Sequence, residues 1–180
     1  MAITGRVLRS PMNRQHTSVL ETERDRLLRL VRVGPSHVGS GVFARRRIKA
    51  GVVLGEILGT VLDEHPADPS YCMELQGGKV LEPAPPLRFV NHSCDPTCEL
   101  FYWFDEEQTL QEDRMWLQTI RPLERGEELS IDYCWPADAA ITCRCGAANC
   151  RGWIVDPDEL HLLTDRDRGT IAPPPGDAGP

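Results

Sequence analysis

Three thiols fall within eight residues in Cys143-Arg-Cys145-Gly-Ala-Ala-Asn-Cys150. Thiolates are soft ligands, and the glycine after Cys145 permits a tight turn. The segment therefore has the make-up of a claw for zinc. A closed structural zinc site wants four ligands in a tetrahedron, so a fourth must come from elsewhere. Cys72, Cys94, Cys98, Cys134 and His161 are the candidates. The competing reading is three free buried thiols, which have no core to join in so irregular a segment. The chain has seven cysteines, an odd number, and its opening MAITGRVLRSPMNRQ lacks the apolar stretch of a secretory signal. A disulfide scaffold is therefore not expected, and an intracellular protein with metal-bound cysteines is.

Three further segments carry polar chemistry. Arg88-Phe-Val-Asn-His-Ser-Cys-Asp-Pro-Thr97 crowds Asn, His, Ser and Asp together, and each must be satisfied if buried. Alone it fits a polar turn, or a His beside a Cys nucleophile. A hydrolase would also need an orienting group and an oxyanion hole, which nothing in the sequence supplies. Gly126-Glu-Glu-Leu-Ser-Ile-Asp-Tyr133 reads as a turn and a strand, with Tyr133 a core tyrosine on that evidence alone. Val38-Gly-Ser-Gly-Val-Phe-Ala44 holds a lone GxG, with no strand-turn-helix pattern to make a dinucleotide site.

The elements that must position these residues are short. Fifteen Gly and fifteen Pro in 180 residues, spread along the chain, favour turns and short strands over a helix bundle. Residues 1–18 read as a loose basic arm and 19–29 as a short charged helix. From 28 the period becomes two, which is strand-like. VFARR and VVLGEILGTVL read as strands around the Lys49-Ala50-Gly51 turn, and YCMELQ, ELFYWF, RMWLQTI and LSIDY as further strands. EPAPP (82–86) reads as rigid connection, DEEQTLQED as an acidic hairpin tip, and the Pro/Gly/Asp-rich end as disordered. No apolar run approaches the ~20 residues of a membrane span. The net charge of −7 divides into +8 over residues 1–50 and −15 over 51–180. An acidic body disfavours nucleic acid, whose phosphates need cations, and suits a basic partner.

Together, in their order along the chain, the four segments resemble the SET-domain family of protein lysine methyltransferases with a C-terminal post-SET zinc segment. The resemblance runs from Leu30 to about Trp153, roughly two thirds of the chain. RFVNHSCDP and GEELSIDY are similar to the two signature motifs, CRCGAANCRG to the post-SET motif, and VGSGVFA with IKAGVVLGE to the opening strands. The fold this implies is mostly β: β-clip-like small sheets with a pseudoknot in which the NHS and GEELSIDY segments cross, an exception to the rule against threading. The expected organisation is a basic extension over 1–27, a SET domain over 28–137, a post-SET zinc segment over 138–158 and a disordered tail over 159–180.

The resemblance also implies roles. Asn91 and His92 would bind S-adenosylmethionine together with backbone from Val38, Gly39 and Ser40. Arg88 would sit beside that cofactor. Tyr71 would line the cofactor and lysine channel and is the second catalytic candidate. Tyr133 would be the catalytic tyrosine. Cys94 would complete the zinc site of Cys143, Cys145 and Cys150, and Trp153 would cover the adenine or the lysine stem. The implied activity is methyl transfer to the ε-amine of lysine in a protein or peptide, histone-like or otherwise basic. No direct nucleic-acid or membrane partner is expected, and the location would be cytoplasmic in a bacterium or nuclear in a eukaryote. The alternative is a catalytically silent SET module that binds a protein tail; intact Asn91, His92 and Tyr133 argue against it. Three positions depart from the family pattern. Ile131 stands where many members carry an aromatic that helps set the number of methyls, Thr97 replaces a common Asn, and Ile57 a common Tyr.

Overall fold

The computed structural model describes residues 6–7, 24–104 and 113–163. These fall into two compact units. Of the described residues, the larger takes 6–7, 24–92, 96–104 and 113–131, and the smaller takes 93–95 and 132–163.

The larger unit is built from small sheets, as its turn-rich sequence predicts. A hairpin of Val31–Ser36 with Gly39–Ala44 pairs in unbroken antiparallel register, from Val31 opposite Ala44 to Ser36 opposite Gly39. Glu128–Ile131 adds to its inner edge, with Glu128 opposite Phe43. Asn91–His92 then joins in parallel, Asn91 opposite Ser130 and His92 opposite Ile131. A second sheet pairs Trp116–Thr119 with both Val53–Glu56 and Cys98–Phe101. A third places Val80–Pro83 between Gly59–Leu62 and Met73–Glu74. Val31, Val42, Leu54, Leu117, Leu129 and Ile131 are buried in this unit's core.

Four expectations need correction. Residues 24–30 are helical, so the strand begins at Val31 rather than 28. Leu27 and Leu30 are both buried, three apart on one helical face, which the two-residue period had hidden. VVLGEILGTVL is two strands in different sheets, parted at a buried Ile57. Glu82 and Pro83 belong to a strand and not to a connection. Pro83 is tolerated because it ends the strand and faces only Gly59. Residues 159–163 are not tail, because the turn Pro157–Leu162 leads to a buried Leu163.

Of the basic arm, Arg6–Val7 pairs in parallel with Trp103–Phe104. The rest of the arm before residue 24, residues 105–112 of the acidic tip and residues 164–180 lie outside the described residues.

The smaller unit has one two-stranded ladder, Ile141–Thr142 with Trp153–Ile154. Its apolar core is Trp153, Val155 and Leu163, with Ala137, Ala140 and Leu160 against it. Among the described residues, no helix is long and apolar enough to cross a membrane.

Candidate functional site

In the larger unit, the parallel seam fixes Asn91. Its Nδ2 donates to the Ser40 carbonyl at 2.9 Å and to Glu128 Oε1 at 2.8 Å. Both amide hydrogens are thereby used. Glu128 Oε2 in turn accepts from Ser36 Oγ at 3.1 Å. The carboxylate fits because position 41 is glycine: a Cβ there would lie 2.3 Å from Glu128 Oε1. Glu128 and Gly41 shape the surroundings of Asn91, and sequence reasoning missed them. The only signal was their place inside GEEL and GSG. The seam is pinned from the other side by Thr97, whose Oγ1 accepts from the Ser130 amide at 2.9 Å. Thr97 is itself 3% exposed, so its departure from the family's Asn keeps a bonded side chain.

Tyr71 and Arg88 are brought together in the same unit. The guanidinium lies 4.1 Å from the Tyr71 ring centroid, and Phe89 meets that ring edge-on. Arg88 is held by Glu82 at 2.9 Å and by the Pro83 carbonyl at 3.3 Å. Tyr71 remains 43% exposed, so its ring is open to a ligand. Val38 is likewise exposed at the hairpin turn, while His92 is buried.

In the smaller unit, four thiols converge. The Sγ atoms of Cys94, Cys143 and Cys145 lie within 4.8 Å of one another. Cys94 Sγ is 3.8 Å from Cys143 Sγ and 4.0 Å from Cys150 Sγ. A tetrahedral zinc with bonds of about 2.3 Å requires sulfur separations of about 3.8 Å. Each sulfur also accepts at least one backbone N–H: Cys94 from Arg151, Cys143 from Cys145, Cys145 from Cys94, and Cys150 from Gly152. Such donors favour thiolate. Gly146, at φ 72°, makes the turn that brings the claw round.

Burial pushes the Cys94 thiol up to about 11 and raises Cys143 as well. Burial opposes ionisation of Cys145 too, but backbone donors from Cys94 and Ala147 outweigh it and hold that thiol at about 6. Buried thiols that resist ionisation, as Cys94 and Cys143 do, need a cation beside them to give up their protons, and a bound zinc deprotonates such thiols outright. The donor set and spacing therefore fit zinc. They also remove Cys94 as a hydrolase nucleophile. Cys98, pushed up to about 11 by burial, is no better suited.

Tyr133 lies two residues past the end of the seam strand, and its ring is 5.5 Å from that of Trp135. The next residue, Cys134, has φ 48°, the one positive-φ non-glycine among the described residues. A left-handed L-residue costs about 1–2 kcal/mol. Strain of this kind collects at functional sites, and a cysteine gives no sequence signal of it. Burial and then Asp132 push the Cys134 thiol up to about 12. Trp153 is placed in the unit's small core at 9% exposure, with its indole N–H unpaired.

The SET domain family model matches residues 39–134, over half of the chain. The chain belongs to the SET-domain family. Among curated relatives, Drosophila melanogaster Histone-lysine N-methyltransferase Set2 is 32% identical over 147 residues, covering 71% of this chain but 6% of Set2. Arabidopsis thaliana Histone-lysine N-methyltransferase ASHH3 is 26% identical over 151 residues, 74% of this chain and 40% of that protein. The chain thus spans well under half the length of these relatives. Among solved structures, KRYPTONITE in complex with mCHH DNA, H3(1-15) peptide and SAH matches 69% of this chain and 29% of its own. That match has a TM-score of 0.59 and 26% identity.

Proposed function

We propose that this SET-family chain is a protein-lysine N-methyltransferase that uses S-adenosylmethionine and carries a structural zinc on Cys94, Cys143, Cys145 and Cys150. The observation that carries the reading is the parallel seam, which locks Asn91 against Ser40 and leads the chain straight into Tyr133. Relatives named as histone-lysine methyltransferases, and a similar solved structure holding SAH and an H3 peptide, support it. SET residues run over 28–137 and post-SET residues over 138–158, with an intracellular location.

Bound S-adenosylmethionine supplies an electrophilic methyl on a sulfonium. The chain's residues do the rest. With both Asn91 amide hydrogens used, its carbonyl oxygen is left to accept from the cofactor's ammonium. Val38, Gly39, Ser40 and His92 would complete that contact. Tyr71, backed by Arg88, walls the channel where the lysine stem lies. Lysine must lose a proton before it can attack, and its ordinary pKa is about 10.4. An apolar channel and a neighbouring positive charge both lower that value. Tyr133 Oη orients the neutral amine. Positioning of this kind is worth roughly 7–11 kcal/mol. The −15 charge over residues 51–180 draws a basic substrate.

The test is mass spectrometry of a lysine peptide array after incubation with the chain and S-adenosylmethionine. Methylated lysine in basic peptides is expected. Cofactor binding by calorimetry without methylation of any peptide would leave the silent module; no cofactor binding would remove both readings.

A further inference from the structure

Arg151 sits immediately after the claw's last cysteine, and its contacts run in two directions. Its backbone N–H donates to Cys94 Sγ at 3.4 Å, inside the thiol cluster. Its guanidinium reaches the other way and meets Asp132 through both oxygens. Nη1 lies 2.8 Å from Oδ2, and Nη2 lies 2.8 Å from Oδ1. Nη2 also donates to the Val155 carbonyl at 3.0 Å. The side chains are only 14% and 18% exposed, so water screens this pair little. Asp132 is the residue before Tyr133, and its Oδ1 further accepts from the Cys134 amide at 3.3 Å. The carboxylate therefore brackets Tyr133 on both sides. The strained φ of Cys134 lies in that same bracket and needs something to hold it.

We propose that Arg151 is a positioning residue that transmits the geometry of the thiol cluster to Tyr133 through its two-pronged pair with Asp132. The inference rests on the lysine-methyltransferase reading for its effect on turnover, but not for its effect on Tyr133. It gives the metal a second role besides folding its own segment. With the cluster formed, Arg151 is fixed at its backbone, Asp132 is fixed by Arg151, and the Tyr133 ring has one position. Only a planar fork serves, because a lysine ammonium is a point charge and cannot hold both carboxylate oxygens in one geometry.

The full chain labelled with 3-fluorotyrosine gives a direct readout, since it has three tyrosines and Tyr133→Phe assigns the relevant resonance. In Arg151→Lys, zinc stays near one per chain by elemental analysis and cofactor affinity is unchanged. The Tyr133 resonance moves in the direction seen when wild type is chelated. kcat falls about 10- to 100-fold with KM little altered, as expected for a misplaced reacting group. A zinc-replete Arg151→Lys with an unmoved Tyr133 resonance overturns the proposal, as does wild-type kcat in that variant. If Arg151→Lys loses zinc, Asp132→Asn weakens the pair from its far end. Zinc retained with Tyr133 shifted then supports the proposal, while lost zinc or an unmoved Tyr133 overturns it. If wild type methylates nothing, the enzymatic reading fails, and the fluorine spectra still decide the role of Arg151.

Discussion

The larger unit is held by apolar burial, while the smaller has a thiol cluster and a part-buried ion pair in place of a sizeable core. Val31, Val42, Leu117 and Leu129 are completely buried in the first, where sheets share a core. The second has Trp153, Val155 and Leu163 for a core, too few side chains to offset the entropy of ordering its irregular backbone. What it has instead is four sulfurs at zinc spacing and the Arg151–Asp132 pair. The contrast shows how one chain can set the Asn91 seam in a conventional core and carry Tyr133 on a segment that ordinary burial would not fold.

Removing the metal is the strongest way to break this contrast. Structural zinc contributes on the order of 10 kcal/mol in small zinc peptides. Chelation should therefore abolish hydrogen-exchange protection across 132–163 and leave it in place across 31–44 and 128–131. Uniform loss across both units would show that the larger core depends on the smaller. Cys94→Ser should mimic chelation and bring zinc well below one per chain; full zinc in that variant would shift the fourth ligand to another cysteine.

A smaller effect separates chemistry from cofactor. Tyr133→Phe deletes one hydroxyl and keeps the ring, so kcat should fall about 10²–10³-fold, the usual loss for one reaction-centre donor. Calorimetry should find cofactor affinity nearly intact. Wild-type turnover would move the role to Tyr71.

The smallest effect belongs to the seam. Asn91→Ala removes the donor to Glu128 Oε1 and to the Ser40 carbonyl, both of which water can reach, at a cost of about 0.5–1.5 kcal/mol to the fold. S-adenosylmethionine binding should weaken about tenfold or more, that being the binding equivalent of some 1.4 kcal/mol, while zinc content stays unchanged. A lower melting temperature at wild-type cofactor affinity would make Asn91 a structural residue only.

The sequence made the claw legible, because thiol spacing is a local property and metal chemistry reads it directly. Motif resemblance carried Asn91 and Tyr133, which no periodicity would have paired. Strands as short as Asn91–His92 leave no period to read, and their parallel partner lies far along the chain. Pro83 concealed a strand because the rule against proline applies to paired amides, and the residue stands where none is needed. The small core around Trp153 went unseen because Val155, Leu160 and Leu163 are scattered among polar residues. Glu128 and Cys134 matter through a packing gap at Gly41 and a backbone angle, and neither leaves a mark in residue type.

The parallel seam also sets a timetable for the chain as it is made. Glu128–Ile131 is the central strand between Gly39–Ala44 and Asn91–His92, and it is the last of the three to be synthesised. At about 5–20 residues per second, the interval from His92 to Ile131 lasts seconds. Throughout that time the inner edge of the Gly39–Ala44 strand is unpaired and open to other chains. Closing the sheet then requires a late strand to pair with Gly39–Ala44 on one side and to take up Asn91–His92 on the other, a non-local step of the kind that slows folding. Aggregation during production should therefore depend on how quickly residues 93–131 follow, and slowing translation there should lower soluble yield before any folded-state property changes.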